Sequence, residues 1–307
     1  IGDVRVDAYI RGNVDRISPE APVPVVNVMD RESRLGGAAN VALNVKSMGA
    51  SPVLVSIMGN DEAGHEFLDL LVNADIENQG ILLSDDRKTT VKTRVMSGNQ
   101  QLLRYDEEDT HSLSDIDRKT LLEHITKLLA TCDLVIFEDY DKGTLDANLI
   151  GNVLEEANRQ GKFVAVDPKR KNFFDYKNVD LFKPNLRELS EALEVSIDGH
   201  DLDSLREATR LLKEKIHFKN ALITLSSAGV FCCGDEKKQL SAQFRNISDV
   251  SGAGDTVIAV AALSMVAGLS LFQAGALANM AGGIVCESAG VVPIELEKLK
   301  SELSKLL

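Results

Sequence analysis

Apolar runs of strand length alternate with helical periodicity along most of this chain. The runs are Pro52 to Met58, Leu134 to Phe137, Phe163 to Val166, Leu181 to Lys183 and Ala221 to Leu225. Between them, Glu62 to Asn73, Asp115 to Ala130, Ala147 to Gln160 and Leu202 to Lys215 space their apolar residues by three and four, the repeat of a helix with one buried face. A strand, a helix and a second strand close as a right-handed βαβ unit. The expected class is therefore α/β, a mostly parallel central sheet with helices on both faces. Functional sites in such sheets lie beyond the carboxyl ends of the strands.

Two segments break the rhythm. Tyr9 to Ser33 and Thr89 to Glu107 are rich in β-formers and turn residues, and neither offers a helix. Val23 to Val28 and Val91 to Met96 alternate sides, with Ser97-Gly98-Asn99 as the turn into Gln100 to Tyr105. They predict a small projecting β-sheet, a lid of residues 9–33 and 89–107 inserted in an α/β core of residues 1–8, 34–88 and 108–307. The alternation in Val23 to Val28 leaves more apolar side chains than one small sheet buries, which predicts a homodimer through the lid.

Thr256 to Cys286 carries no charge and is long enough to cross a bilayer. Gly268-Leu269-Ser270 interrupts it with a helix-ending Gly and an N-cap Ser, so two buried helices are expected rather than a membrane span. With 34 basic and 47 acidic side chains the formal charge is −13, which repels phosphodiester backbones and argues against a nucleic-acid partner. Cys132, Cys232, Cys233 and Cys286 show neither metal-ligand spacing nor disulfide density, and a cytoplasmic location is expected. Ile1-Gly2-Asp3 lies at the end of an apolar run without the regions of a secretory signal, and the start reads as trimmed.

Chemistry is expected at Asp249-Val250-Ser251-Gly252-Ala253-Gly254-Asp255, between a β-rich stretch and a helix. Gly252 and Gly254 let amides converge at a helix N-terminus, where the dipole favours an anion. Asp255 reads either as a helix-capping acid or as a general base beside that anion hole. Gly36-Gly37-Ala38-Ala39-Asn40 opens another helix and is either a tight loop or a place where Asn40 meets hydroxyls of a ligand. Asp3 and Asp7 follow the first strand as turn residues or as contacts for sugar hydroxyls. Neither a GxxxxGK[ST] loop nor the HRD and DFG elements of protein kinases occur.

Together the GGAAN helix start, the β-rich excursions on either side of it, Asn185-Leu186-Arg187-Glu188 and Gly252-Ala253-Gly254-Asp255 resemble the ribokinase-like (PfkB) family of sugar kinases. The resemblance covers essentially the whole chain. The runs Arg16 to Val25 and Asn99 to Arg104 look closely like members of that family that phosphorylate D-glycero-β-D-manno-heptose 7-phosphate in lipopolysaccharide core synthesis. The resemblance implies ATP-dependent transfer to the anomeric hydroxyl, giving the 1,7-bisphosphate. Asp255 would be the base, and the amides of Gly252, Ala253 and Gly254 the anion hole. Asn185 and Glu188 would organise magnesium through water, although Asn-x-x-Glu is also a capping box. Thr224, Gly229 and Asn279 would hold the nucleotide, with Leu225 and Ser226 departing from the family pattern. Asp249 marks a possible monovalent-cation site. Asp7, Gly36, Gly37 and Asn40 would contact the sugar, and Arg94, Arg104 and Lys169 its phosphate.

Another sugar or sugar-phosphate kinase of the same fold is the alternative, and a non-catalytic sugar or nucleotide sensor is a third reading that intact Asp255 opposes. Bifunctional relatives add a nucleotidyltransferase domain; residues up to Leu307 contain none, and a stand-alone kinase and an excised part both remain open.

Overall fold

The computed structural model describes residues 1–305. Its first third comprises β1 (Val4–Ile17), β2 (Pro24–Gly37), α1 (Ala38–Ser47), β3 (Ser56–Gly59), α2 (Glu62–Asn73), β4 (Ile81–Ser84), β5 (Val91–Ser97) and β6 (Gln100–Glu107). The middle holds α3 (Asp115–Leu129), β7 (Leu134–Glu138), α4 (Ala147–Arg159), β8 (Phe163–Asp167), β9 (Leu181–Phe182), α5 (Leu186–Leu193) and α6 (Leu202–Ile216). Then come β10 (Asn220–Thr224), β11 (Val230–Cys233), β12 (Lys237–Leu240), α7 (Ala253–Val266), α8 (Leu271–Val285) and α9 (Leu296–Ser304).

The main sheet runs in the order β12-β11-β10-β9-β8-β7, parallel from β10 to β7 and closed at the other edge by an antiparallel hairpin. Backbone pairing continues past β7. Glu138 N–H bonds Ile1 O at 2.9 Å, Gly2 N–H bonds Val55 O at 3.1 Å, and β3 pairs with β4 in parallel. Residues 1 and 2 thus pair between Val55 and Glu138 in the middle of this sheet. β1 then leaves it and runs unbroken past residue 8 into a second, four-stranded sheet of order β2-β1-β5-β6. The border expected between core and lid falls inside that strand. The expected strand Pro52 to Met58 is shorter, starting at Ser56. Leu54 and Val55 are buried, so the apolar run there reports burial, whereas ladder pairing with β4 begins only at Ser56.

Helices cover both faces of the sheet. One core layer joins Leu121, Leu149, Val153, Leu205 and Leu212 to Phe137, Val166 and Ile223. The opposite layer is built from α7 and α8, through Ile258, Val260, Ala278 and Ala281. These helices are the uncharged stretch. Ser270 accepts from Gln273 N–H and begins α8 with a capping box, and the small side chains admit close approach. No helix among the described residues is long and apolar enough to cross a membrane.

Candidate active site

The N-terminus of α7 lies beyond the carboxyl ends of β7, β8 and β9, where a parallel sheet places its chemistry. Asp249 shapes the turn that leads into it, its carboxylate accepting the amides of Ser251 and Gly290 at 2.9 and 3.0 Å. Gly252 is the N-cap at φ 80°, a left-handed conformation that a side chain would disfavour. The Ala253 amide is engaged by Val250 O at 3.3 Å, whereas an α-helix leaves the amides of its first turn, here Gly254 and Asp255, without internal partners.

Asp255 is buried, and its carboxylate does not cap this helix. Asn40 Nδ2 donates to Oδ2 at 2.7 Å and Tyr140 Oη donates to Oδ1 at 2.8 Å. The two donors belong to α1 and to the loop after β7, so three separate parts of the chain converge on one carboxylate. Asn40 is itself held by Asn44, whose Oδ1 accepts from Thr256 Oγ1 at 3.0 Å and ties α1 to α7. Asp3 orders the loop that carries Tyr140. Its carboxylate accepts the amides of Tyr140, Lys142 and Thr144 at 2.9, 3.0 and 3.0 Å. Asp3 is therefore the turn-forming acid of the two readings, its carboxylate ordering the backbone of this loop rather than side chains.

Carboxylate oxygens of Glu138, Asp167 and Asp255 lie within 4.8 Å of one another, all buried. Burial, then the charges of Asp167 and Asp255, push the Glu138 carboxyl well above the ordinary range. Lys183, 2% exposed, places Nζ 2.7 Å from Asp167 Oδ2. Burial alone would lower its pKa, but Asp167 and Glu138 raise it, so the ammonium stays charged. Glu138 Oε2 and Asp167 Oδ1 are buried without hydrogen-bond partners. Two orphaned carboxylate oxygens side by side suit a hard divalent cation. Glu138, Lys183 and Tyr140 were not singled out from sequence, although Glu138 and Lys183 are charges standing at the ends of apolar strand runs.

The other sequence-derived residues form three groups. In the first, Asn185 and Glu188 complete a capping box at the start of α5, and Glu188 also pairs with Lys169. Lys169 Nζ lies 5.4 Å from the Tyr140 ring centre, and Asp167 and Glu188 outweigh burial to raise its pKa. In the second group, Thr224 N–H bonds Pro184 O at 3.1 Å, Gly229 closes the turn after β10, and Asn279 Nδ2 bonds Ser241 O at 2.9 Å. The third group is on the small sheet. Asp7 is fully buried between Arg5 Nε at 3.0 Å and Arg94 Nη1 at 2.8 Å. A Cβ on Gly36 would fall 2.1 Å from Asp7 Oδ2, so only glycine leaves room for that carboxylate, while Gly37 is the N-cap of α1. Arg104 pairs in register with Arg94 and bonds Asp106 at 3.0 Å, half exposed and remote in contacts from Asp255.

Residues 2–298 match the model of the pfkB family carbohydrate kinases. The chain is 40% identical to a protein named "Bifunctional protein HldE" from Desulfatibacillum aliphaticivorans, covering 99% of this chain and 62% of that protein. It is 38% identical to a protein of the same name from Helicobacter pylori, with 97% of this chain and 64% of that protein covered. The chain thus spans less than two thirds of these relatives' lengths. Among solved structures, phosphofructokinase-2 of Escherichia coli in complex with potassium superposes with a TM-score of 0.83 at 17% identity, over 99% of this chain and 96% of that one. Ribokinase of Arabidopsis thaliana complexed with ribose and ATP gives 0.73 at 18% identity, over 97% and 96%.

Proposed function

This chain belongs to the pfkB family of carbohydrate kinases, and on that footing we propose that it transfers the γ-phosphoryl of ATP to the anomeric hydroxyl of D-glycero-β-D-manno-heptose 7-phosphate. The observation that carries the chemistry is Asp255, a buried carboxylate gripped by Asn40 and Tyr140 in the first turn of α7. It accepts the proton of the attacking hydroxyl, while the first-turn amides at Gly254 and Asp255, and that of Gly252 before them, would face the charge that builds on the transferred group; the expected contribution of the Ala253 amide is withdrawn because Val250 O already engages it. Glu138 and Asp167 would hold the magnesium ion, their orphaned oxygens supplying the donor set, and Asn185 and Glu188 would act on it through water. That ion neutralises phosphate charge when bound. Thr224, Gly229 and Asn279 border the nucleotide, and a monovalent cation beside Asp249 would steady the turn before α7.

The heptose rests on the HldE relatives, and Asp7, Gly36, Gly37 and Asn40 are the proposed sugar contacts, with Arg94, Arg104 and Lys169 for its phosphate. The small sheet acts as lid and dimer contact, for which Ile17, Val28, Met29 and Leu103 offer exposed apolar surface. Incubation of the chain with ATP, magnesium and heptose 7-phosphate, followed by ADP release and phosphorus NMR, is expected to yield the 1,7-bisphosphate. Faster turnover of fructose 6-phosphate or ribose in the same panel would replace the proposed substrate, and no turnover of any of them would remove the kinase reading. Sedimentation showing a monomer at micromolar concentration would remove the dimer.

A further inference from the structure

We infer that Asn44 is a positioning residue for the phosphoryl transfer, one that fixes which end of the Asn40 side-chain amide faces Asp255. The inference rests on the kinase reading above and deepens it. Asn40 and Asn44 lie one turn apart on the same face of α1, and both are fully buried. A side-chain amide carries an oxygen on one side and an NH2 of nearly equal shape on the other, so its orientation is set by the groups around it.

Two main-chain groups fix Asn44. The Ile294 N–H can only donate, and it meets Asn44 Oδ1 at 2.9 Å. The Asn40 carbonyl oxygen can only accept, and it takes Asn44 Nδ2 at 2.8 Å. Turning the Asn44 amide over would set donor against donor at Ile294 and acceptor against acceptor at Asn40, and a buried polar group left without its partner is costly. Thr256 Oγ1, 3.0 Å from Asn44 Oδ1 and 3.2 Å from Gly252 O, can donate or accept and therefore suits either arrangement. The main chain alone decides.

The polarity then passes on. Asn44 Nδ2 also faces Asn40 Oδ1 at 3.4 Å, so the Asn40 oxygen points back along α1 and its NH2 points forward. That NH2 donates to Asp255 Oδ2 at 2.7 Å and packs against Gly252, where a Cβ would stand 2.8 Å from it. A run of one-way hydrogen bonds thus starts at the main chain before α9 and ends on the base. Its consequence is chemical: Asp255, and any sugar hydroxyl that reaches Asn40 Nδ2, meets a donor. Without Asn44, the Asn40 amide could turn over once Asp255 has taken a proton and accept a hydrogen bond from it, which would hold the base in its spent form. Asn44 prevents this through Asn40, without a hydrogen bond of its own to Asp255.

The test is a double-mutant cycle on kcat with heptose 7-phosphate as substrate. Asn44→Leu is expected to lower kcat about tenfold with the KM for ATP unmoved, on the scale of one hydrogen bond to a charged group. Added to Asn40→Ala it is expected to cost less than about twofold, because no amide is left to orient. A merely structural Asn44 would lower activity by the same factor in both backgrounds, and that result overturns the inference, as does an unchanged kcat. Asn44→Ser, too short to reach Ile294 and Asn40 together, serves if Asn44→Leu does not fold. NMR of chains isotopically labelled on asparagine nitrogen reads the relay without turnover. The Asn40 NH2, identified by its loss in Asn40→Ala, is expected to give two well-separated proton signals, one bonded to the carboxylate and one not, that draw together in Asn44→Leu. Signals that stay in place overturn the positioning role while leaving the kinase reading standing. A chain that shows this change but phosphorylates no sugar loses the kinase reading and keeps the relay.

Discussion

Replacing Asp255 by Asn tests the chemical assignment on a variant that the structure makes unusually clean. The carboxylate accepts one bond from the Asn40 amide and one from the Tyr140 hydroxyl, at 2.7 and 2.8 Å. An asparagine side chain in its place can direct its carbonyl oxygen at Asn40 Nδ2 and its NH2 at Tyr140, whose hydroxyl rotates from donor to acceptor. Both contacts survive, so the side chain stays in place, at the cost of leaving the Tyr140 O–H without its acceptor, about 1–3 kcal/mol of stability. What disappears is the capacity to take a proton, together with one negative charge next to Glu138 and Asp167. Loss of a general base costs about 10²–10⁴ in kcat, or roughly 2.7–5.4 kcal/mol of barrier. ATP affinity should hold or improve, because removing a negative charge beside the phosphates relieves repulsion. Steady-state ADP release gives kcat, nucleotide titration gives affinity, and a melting curve on the same preparation certifies the fold. If kcat stays within a factor of about three, far below that range, Asp255 is no base and the mechanism is wrong.

Three further outcomes follow from the same geometry. Tyr140→Phe removes one charged hydrogen bond to the base, so kcat should fall about tenfold with ATP affinity unchanged; unaltered turnover would make the contact incidental. Lys183→Met leaves the Asp167 carboxylate buried beside Glu138 without its counter-ion, which should cost about 3–5 kcal/mol in urea unfolding and be partly restored by millimolar magnesium. Failure of magnesium to restore any of it would argue against those carboxylates as ligands. Asp139 is pushed up from 3.8 to about 6, chiefly by burial, so the folded state holds a proton that the unfolded chain has released between those values. Its contribution to stability therefore declines as pH rises through that window, by roughly 3 kcal/mol in total, and is level above it. Urea midpoints from pH 4 to 7 should slope less in Asp139→Asn than in the unmodified chain, and parallel slopes would refute the assignment.

The alternation of β and α segments was legible because each has its own period, and the helix pair of Thr256 to Cys286 because Gly268 and Ser270 carry stop and start signals that do not depend on the rest of the fold. The site was legible only in part. The glycines before Asp255 announce an anion-binding turn locally, but nothing local says that Asn40, 215 positions away, will donate to it. Glu138, Asp167 and Lys183 each end a strand run, which marks them as facing the functional edge of the sheet. Their convergence depends on β7, β8 and β9 lying side by side, and strand order is not encoded in periodicity.

The arginine face had a plainer signature that strand boundaries concealed. Val4-Arg5-Val6-Asp7-Ala8-Tyr9-Ile10-Arg11 alternates apolar and polar residues without interruption, the pattern of a strand with one face packed and one face on a cleft. Dividing that run at residue 8 separates Arg5 and Asp7 from Tyr9 and Arg11 and turns a continuous polar face into isolated charges. The structure joins them because β1 pairs with β2 along its whole length and with β5 from Val6 to Gly12, so the same strand that leaves the main sheet beside Asp255 carries the polar face outward. One end of that face meets the site directly: Arg5 lies over the ring of Tyr140, whose hydroxyl donates to Asp255, while Tyr9 and Arg94 pair further out on the small sheet.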